Sequence, residues 1–415
     1  MNILFITPES PFFSTKGYSK LLLSRAVSFV NQHHRVSLIY QRFSLFHSTR
    51  ILETTPLEPF SEIYICRTNL FSVVFYFVLH LLFQTKQPLQ SSLSHAAYFA
   101  LKHHSLTVPN YYQIIHFYLL RTQYFWSLFP ESTRLVDLVD CLSLNLTRRI
   151  NALPTTKQLQ KLLLSHELHR ILDTESSITA NYSPNAILLV SSVDSLYLQR
   201  LSKIQQPILV SPISIEVPPY CTAPSSKYLG LHSQNPLKLI FFGTLTYQPN
   251  IEAVNFLLSY FSELFLLNPS LSSLISITIA GKGASRRLQS QCAHQRISLV
   301  SPVDDMFSLV RSHHASLLPL FSGSGIQYKV IESMAWSIPV ITTNIAAKPI
   351  GLKHLEHALL FDTKQQLTNL LSELLASSHN IDSITAHSHS LVQGYSDYSV
   401  NCDLLQNYSR LSEAS

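Results

Sequence analysis

Residues 315–343 read ASLLPLFSGSGIQYKVIESMAWSIPVITT, and four local structures follow one another within them. ASLLPL is a short apolar run with strand character, and FSGSG makes a turn poor in bulky side chains. IQYKVIESMAW places apolar residues at Ile326, Val330, Ile331 and Met334, the spacing of a helix packed on a sheet. PVITT is a second strand. Strand, helix and strand in this order build a parallel sheet covered by helices. The turn is also unusual for this chain, which has nine glycines in 415 residues and places two of them at Gly323 and Gly325. A helix that starts on bare backbone presents N–H groups and the positive end of its dipole to the cleared space, a seat for phosphate.

The same grammar runs outward in both directions. Toward the N-terminus the strand candidates are NILFIT (2–7), RVSLIY (35–40), EIYIC (62–66), QIIHF (113–117), RLVDLVD (134–140) and AILLVSS (186–192). A proline-rich, charge-poor stretch then intervenes, with VPPY and TAPSS inside it. Strands resume as LKLIFFG (237–243), LISITIAGKG (274–283), ISLV (297–300), the two of the opening stretch, and HALLFD (357–362). Continuous apolar strands separated by helical stretches indicate parallel sheets buried on both faces. The expected organisation is an α/β protein of two doubly wound Rossmann-like domains: 1–205, a linker at 206–236, and 237–389. Helices at 390–415 are expected to pack back toward the first domain. Ligands of such sheets bind beyond the carboxyl ends of the strands.

Composition narrows the function classes. Apolar residues make up 46% and charged residues 13%, a globular balance. Five widely spread cysteines (Cys66, Cys141, Cys221, Cys292, Cys402) form no CxxC pair, which points to a reducing, cytoplasmic setting and to no zinc site. The histidine doublets at 33–34, 103–104 and 313–314 are adjacent rather than four apart, so they do not share a helix face, and no metal is expected. MNILFITPESPFF reads as a buried strand and loop rather than a signal peptide. The most apolar run, LFSVVFYFVLHLLF at 70–83, is 14 residues long, short of the roughly 20 that span a bilayer. It reads as an amphipathic or core helix, with interfacial membrane contact as a second reading. Up to residue 205 the chain holds 18 Lys and Arg against 11 Asp and Glu; the remainder holds 12 against 13. The basic half is the one to meet an anionic partner or a membrane surface. Basic and aromatic residues are not interleaved, so no nucleic-acid partner is expected.

Gly243, Gly281, Gly283, Gly323 and Gly325 all follow strands of the second half, either because the turns want φ > 0 or because backbone approaches a ligand. Glu332 would stand seven residues into a helix running from Ile326, about 10 Å along its axis. There its carboxylate could accept hydrogen bonds from the diol of a nucleotide ribose whose phosphates sit at the helix start. Equally, it could be a solvated residue paired with Lys329 at three-residue spacing.

GSGIQYKVIESMAWSIPVITT at 323–343 resembles the nucleotide-binding motif of glycosyltransferase family 4, a GT-B family of group 1 glycosyl transferases. Its branch here is the one with a GSGI, KVxE, MAxGxPVVTT pattern, which includes polysaccharide and PEP-CTERM-type sugar transferases. FFGTLTYQPNIEAV (241–254), ITIAGKGA (277–284) and SPVDDM (301–306) are similar to the same branch, as are IIHFYLLR (114–121), LVDLVDCLSLNLTRR (135–149) and VSSVDSLYL (190–198). The resemblance implies a GT-B fold and a retaining, metal-independent glycosyltransferase with no cofactor beyond its nucleotide-diphosphate sugar donor. It implies donor contacts at Glu332, Gly323, Ser324, Gly325, Ile326, Gly243 and Gly281, at Asn250 of the YQPN loop, and at Gly17 of the first loop (STKGYS). The acceptor would be a glycan or a lipid-linked molecule in surface polysaccharide or glycoconjugate assembly. The setting would be cytoplasmic, with peripheral contact at the inner face of the membrane through the basic N-terminal domain.

The chain departs from the pattern at several positions. Ser324 stands where many relatives carry a carboxylate, Tyr118 where they often carry a histidine, and Ser337 where they usually carry glycine. The GTLTYQPN loop has no Arg or Lys to neutralise a diphosphate, which makes Lys329, and then Arg121, the candidates for that charge. His116 is either the catalytic histidine, displaced, or a satisfied core residue. These departures keep open a non-catalytic nucleotide-sugar-binding subunit of the same fold, and behind it a nucleotide-sugar epimerase.

Overall fold

The computed structural model describes the chain except residues 13–16, 46–49, 55, 83–86, 103–110, 154, 202–203, 205, 220–234, 296, 377–379 and 414–415. The His103-His104 doublet, Cys221, residues 220–234 of the expected linker and residues 14–16 of the first loop therefore lie outside the described residues. The chain divides into two compact units, Met1–Ser214 with Asp397–Ser415, and Ile215–Ser396.

The first unit holds β1 (Asn2–Thr7), β2 (Arg35–Ser44), β3 (Arg50–Thr54), β4 (Glu62–Asn69), β5 (Ile114–Tyr118), β6 (Thr133–Val139), β7 (Ala186–Leu189) and β8 (Ile208–Val210). They form one sheet in the order β3-β4-β2-β1-β5-β6-β7-β8. Every neighbouring pair is parallel except β3 with β4. Side chains alternate across a strand, and both faces of β1 are covered. Ile3 and Phe5 meet Leu22, Ala26 and Phe29 of the helix Gly17–Asn31 together with Leu404, Leu405 and Tyr408. Leu4 and Ile6 pack with Ile115, Phe117, Trp126 and Ile171 on the other side. Burial on both sides explains why these strands read as unbroken apolar runs.

The second unit holds β9 (Leu237–Phe242), β10 (Ile275–Ala280), β11 (Ser298–Val300), β12 (Ala315–Leu318), β13 (Val340–Thr342) and β14 (Leu359–Leu360). These pair in parallel in the order β11-β10-β9-β12-β13-β14. The fold is thus α/β with two doubly wound sheets.

Three details differ from the sequence reading. The antiparallel edge strand β3 had no strand signal assigned to it. Residues 208–210, expected in the linker, form β8 at the sheet edge. Position 390 falls inside the helix Ile381–Val392 of the second unit, while the helix Asp397–Glu413 packs in the first. Its Asn401 donates to Ser24 Oγ (3.1 Å), and Tyr408 is fully buried.

Candidate functional site

Each sheet reverses its strand order once. In the second unit β9 and β12 are neighbours, while their successors lie on opposite sides, β10 beyond β9 and β13 beyond β12. The loops leaving two such strands diverge and open a crevice past their carboxyl ends. The loop after β9 is GTLTYQPN; the turn after β12 is the glycine turn of the opening stretch.

Backbone fills the floor of this crevice. Gly243 donates its N–H to the Ala280 carbonyl (3.0 Å), and Gly281 donates to Val300 (3.0 Å). A Cβ on Gly281 would lie 1.8 Å from the Gly243 carbonyl oxygen, and one on Gly243 would lie 2.9 Å from Asn250 Nδ2 and 3.2 Å from Lys329 Cε. Both glycines have φ in the positive range that side chains avoid, +147° and +145°. The two loops touch backbone to backbone, and a larger residue at Gly281 would part them.

Asn250 stands in the first turn of the helix Gln248–Leu267 and is buried. Its Nδ2 donates to the Thr244 carbonyl (2.8 Å), and its Oδ1 accepts from Lys329 Nζ (2.8 Å). Lys329 is the second residue of the helix Tyr328–Ala335. From there its stem reaches across to β9, with Nζ 6.0 Å from the centre of the Phe241 ring. The loop that lacks a cation in sequence therefore has an ammonium beside it in space.

The helix begins at Tyr328 rather than Ile326. Glu332 is accordingly its fifth residue, about 6 Å from the start, not the seventh; its side chain is half-buried. Gly323 and Gly325 have φ of +112° and +65°. Ser324 and Ile326 are both buried, and the Ser324 carbonyl accepts from Gln327 Nε2 (3.2 Å). Gln327, the N-cap, makes no side-chain capping bond. A carboxylate approaches the turn from another element: Glu252 accepts from the Ser322 hydroxyl. Nothing in the linear pattern marks Glu252 or the Asn250–Lys329 contact, since the partners lie 70 and 79 residues apart.

Ser337 lies where the motif usually has glycine, and its φ is +54°. Ser337 N–H bonds Met334 (3.1 Å) and Ile338 N–H bonds Ser333 (3.0 Å), the paired bonds of a left-handed helix ending in which glycine is favoured.

In the first unit the order reverses between β1 and β5. Gly17 opens the helix that follows β1. Arg121 lies in the short helix Leu120–Phe125 after β5, half-buried, its Nε donating to Gln90 Oε1 (3.0 Å). Both thus stand past strand ends at this reversal.

His116 does not. It is fully buried on β5, and both ring nitrogens are engaged: Nε2 with Asp137 Oδ2 (3.1 Å) and Nδ1 with the Tyr408 hydroxyl. Tyr118 stacks on its ring at 4.2 Å between centres. Burial lowers the imidazole pKa to about 4, against the opposing pull of Asp137. It is therefore neutral near pH 7, donating from Nε2 and accepting at Nδ1. Asp137 also pairs with buried Arg25. Burial pushes the Asp137 carboxyl up, but Arg25 and His116 together hold it below its ordinary value. The catalytic reading of His116 is corrected to a structural one: a ring with no exposed atom and no unoccupied nitrogen touches no substrate.

In the doublet His313–His314, His313 Nε2 meets Thr278 Oγ1 (2.8 Å) and His314 Nδ1 accepts from the Lys238 N–H (2.8 Å). Both make bonds to the sheet. Among the described residues no three His, Cys, Asp or Glu side chains gather as a metal site.

The family model for Glycosyl transferases group 1 matches residues 236–377, which include both crevice loops and the helix carrying Lys329 and Glu332. No curated protein sequence matched. Sucrose-phosphate synthase from Thermosynechococcus elongatus superposes with a TM-score of 0.70 at 15% identity over 100% of each chain. An α,α-trehalose-phosphate synthase (UDP-forming) from Burkholderia xenovorans, solved with glucose-6-phosphate, gives 0.67 at 8% identity, covering 98% of this chain and 99% of its own. The E. coli trehalose-6-phosphate structure bound with UDP-2-fluoro glucose gives 0.63 at 11%, again over 98% and 99%. The chain has the GT-B fold of these glycosyltransferases and is a glycosyltransferase of GT-B type, with a group 1 domain at residues 236–377.

Proposed function

We propose that the chain is a retaining transferase that requires no metal ion. It would move a sugar from a nucleotide-diphosphate sugar to a glycan or lipid-linked acceptor, in surface polysaccharide or glycoconjugate assembly at the cytoplasmic face of a membrane. The observation that carries this reading is Lys329 Nζ, held 2.8 Å from Asn250 Oδ1 beside Gly243, where a Cβ would crowd both side chains. A fixed cation next to bare backbone, past the strand ends of a sheet reversal, suits a diphosphate. The UDP-2-fluoro glucose in the E. coli structure supports a donor of this class.

In this reading the backbone of Gly323, Ser324, Gly325 and Ile326 receives the diphosphate at the helix entrance. Glu332 accepts from the ribose hydroxyls, while Gly243, Gly281 and Asn250 border the nucleotide, and Gly17 of the first loop is a further donor contact that the resemblance implies. The bond between the anomeric carbon and the phosphate oxygen breaks, and the departing oxygen takes the proton of the acceptor hydroxyl. The new bond forms on the face the phosphate left. Lys329, with Arg121 as the second cation, would stabilise the negative charge that develops on the leaving group. Such stabilisation by prearranged charge is usually the main source of rate in sites of this kind. Holding both reactants provides the rest.

The test is nucleotide release from a panel of nucleotide sugars in the presence of an acceptor extract, with the anomeric configuration of the product read by NMR. Wild type should release nucleotide and retain configuration, while Lys329→Ala and Glu332→Ala should fall. A product of inverted configuration contradicts the mechanism. The buried Ser324 favours a second reading, a nucleotide-sugar-binding subunit without turnover. Equal background release from all three proteins, with nucleotide binding intact, would support it.

A further inference from the structure

The helix Leu70–Leu82 is turned inside out. Its inward stripe is Val73, Tyr76 and His80: His80 donates from Nδ1 to the Tyr76 carbonyl (2.8 Å), and its Nε2 lies 2.5 Å from the Tyr124 hydroxyl. The Tyr76 ring stacks on His95 at 4.2 Å, and His95 on Tyr124 at 4.4 Å. These contacts fix the rotation of the helix with its polar groups inward. The outward stripe is Phe71, Val74, Phe75, Val78, Leu81 and Leu82, with exposures from 41% to 73%, on the i, i+3, i+4, i+7 spacing of a single face. An ordinary surface helix buries such a stripe. Phe99, on the helix His95–Lys102 stacked against Tyr76, is exposed as well.

The segment that holds this stripe carries charge of one sign. No Asp or Glu occurs between Glu62 and Glu131, a stretch that carries Arg67, Lys86, Lys102 and Arg121. Three residues before the helix, Arg67 stands in register with Arg42 on β2 and with Arg50 on β3. Like charges abreast on adjacent strands destabilise a sheet. Arg42 and Lys102 are exposed. Glu62, at the far end of β4, is already paired with Arg35.

We propose that this face docks on an anionic lipid bilayer, with the helix lying in the interface and Arg42 and Lys102 among the headgroups. The helix is about 20 Å long, too short to cross, and among the described residues no helix is long and apolar enough to do so. An apolar stripe flanked by cations, with carboxylates absent from the segment, is the pattern of an interfacial helix. A second copy is the poorer occupant, since a two-fold contact would set the same cations against themselves. The proposal stands apart from the donor site, because it uses no residue of the crevice.

Co-sedimentation of the full chain with phosphatidylcholine vesicles, with and without phosphatidylglycerol, tests it. Wild type should bind the phosphatidylglycerol vesicles and lose that binding progressively as salt rises. Phe71→Ser with Phe75→Ser should weaken binding at least about tenfold. Arg42→Gln with Lys102→Gln should cost about tenfold on phosphatidylglycerol vesicles alone. Leu266→Ser, an equally exposed apolar position of the second unit (80%), should bind as wild type does. Unchanged circular dichroism melting and nucleotide binding in these variants would show that the fold and the donor seat persist. Wild type that ignores both vesicle types overturns the proposal, as does a helix variant that binds like wild type. It is equally overturned by a self-associating wild type whose dimer, rather than vesicle binding, is abolished by the phenylalanine changes.

Discussion

Two sheet reversals in this chain are made with the same grammar and finished in opposite ways. Past β9 and β12 the chain removes side chains, sets Gly243 against Gly281, and brings in one cation, Lys329, from a helix that starts at the crevice. Under the β1–β5 reversal it does the reverse, packing Arg25, Asp137, His116 and Tyr408 into a sealed cluster with no exposed atom. An ammonium bonded to a neutral amide beside bare backbone carries its charge at the mouth of a crevice. A guanidinium whose partner is a buried carboxylate is committed to the fold. The difference between a site and a strut is therefore where the charge ends, not which residue type carries it.

The comparison breaks most visibly at Asp137. Asp137→Ala leaves Arg25 buried without its counter-charge, which should cost about 3–5 kcal/mol, read as a fall in the urea midpoint of the first unit's transition. Lys329→Met should do the opposite: turnover falls on the order of 10²–10³-fold, the size of one lost electrostatic donor, while the melting temperature holds. If Lys329→Met unfolds the protein and Asp137→Ala leaves it stable, the two roles have been assigned the wrong way round. Tyr408→Phe removes the donor to a buried ring nitrogen and should cost about 1–3 kcal/mol, with donor binding unaffected.

The sealed cluster carries a pH dependence. The His116 pKa is lowered by burial, to about 4 from 6.5. The unfolded chain therefore takes up a proton between these values that the folded one refuses, and stability falls as pH drops through that window. Melting curves at pH 7.5 and pH 5 should show this loss in wild type and less of it in His116→Gln. The smallest effect is expected at Ser337, where φ of +54° suits glycine: Ser337→Gly should stabilise by about 0.5–1 kcal/mol.

Much of the fold could be read from the chain because its strands are buried on both faces, which leaves unbroken runs such as NILFIT and LKLIFF. β3 escaped because an antiparallel edge strand of five residues has no such run, and β8 because three residues beside a proline-rich stretch resemble a linker. The glycine turn was legible as a turn, since backbone freedom is a local property. The Lys329–Asn250 contact was not, because nothing local distinguishes a lysine that reaches across a crevice from one in solvent. His116 was ambiguous for the same reason: the tyrosine that seals it comes from 292 residues away. The apolar run at 70–82 revealed a helix but not its rotation, which is set by His80, His95 and Tyr124.

The central claim is that Lys329 supplies the diphosphate charge missing from the GTLTYQPN loop. Calorimetric titration of wild type and Lys329→Met with matched nucleosides and nucleoside diphosphates tests it directly. Wild type should bind one diphosphate on the order of tenfold or more tighter than its nucleoside, and Lys329→Met should lose most of that difference while keeping the nucleoside affinity. An undiminished preference for the diphosphate in Lys329→Met, or no diphosphate binding by wild type at all, would contradict the account.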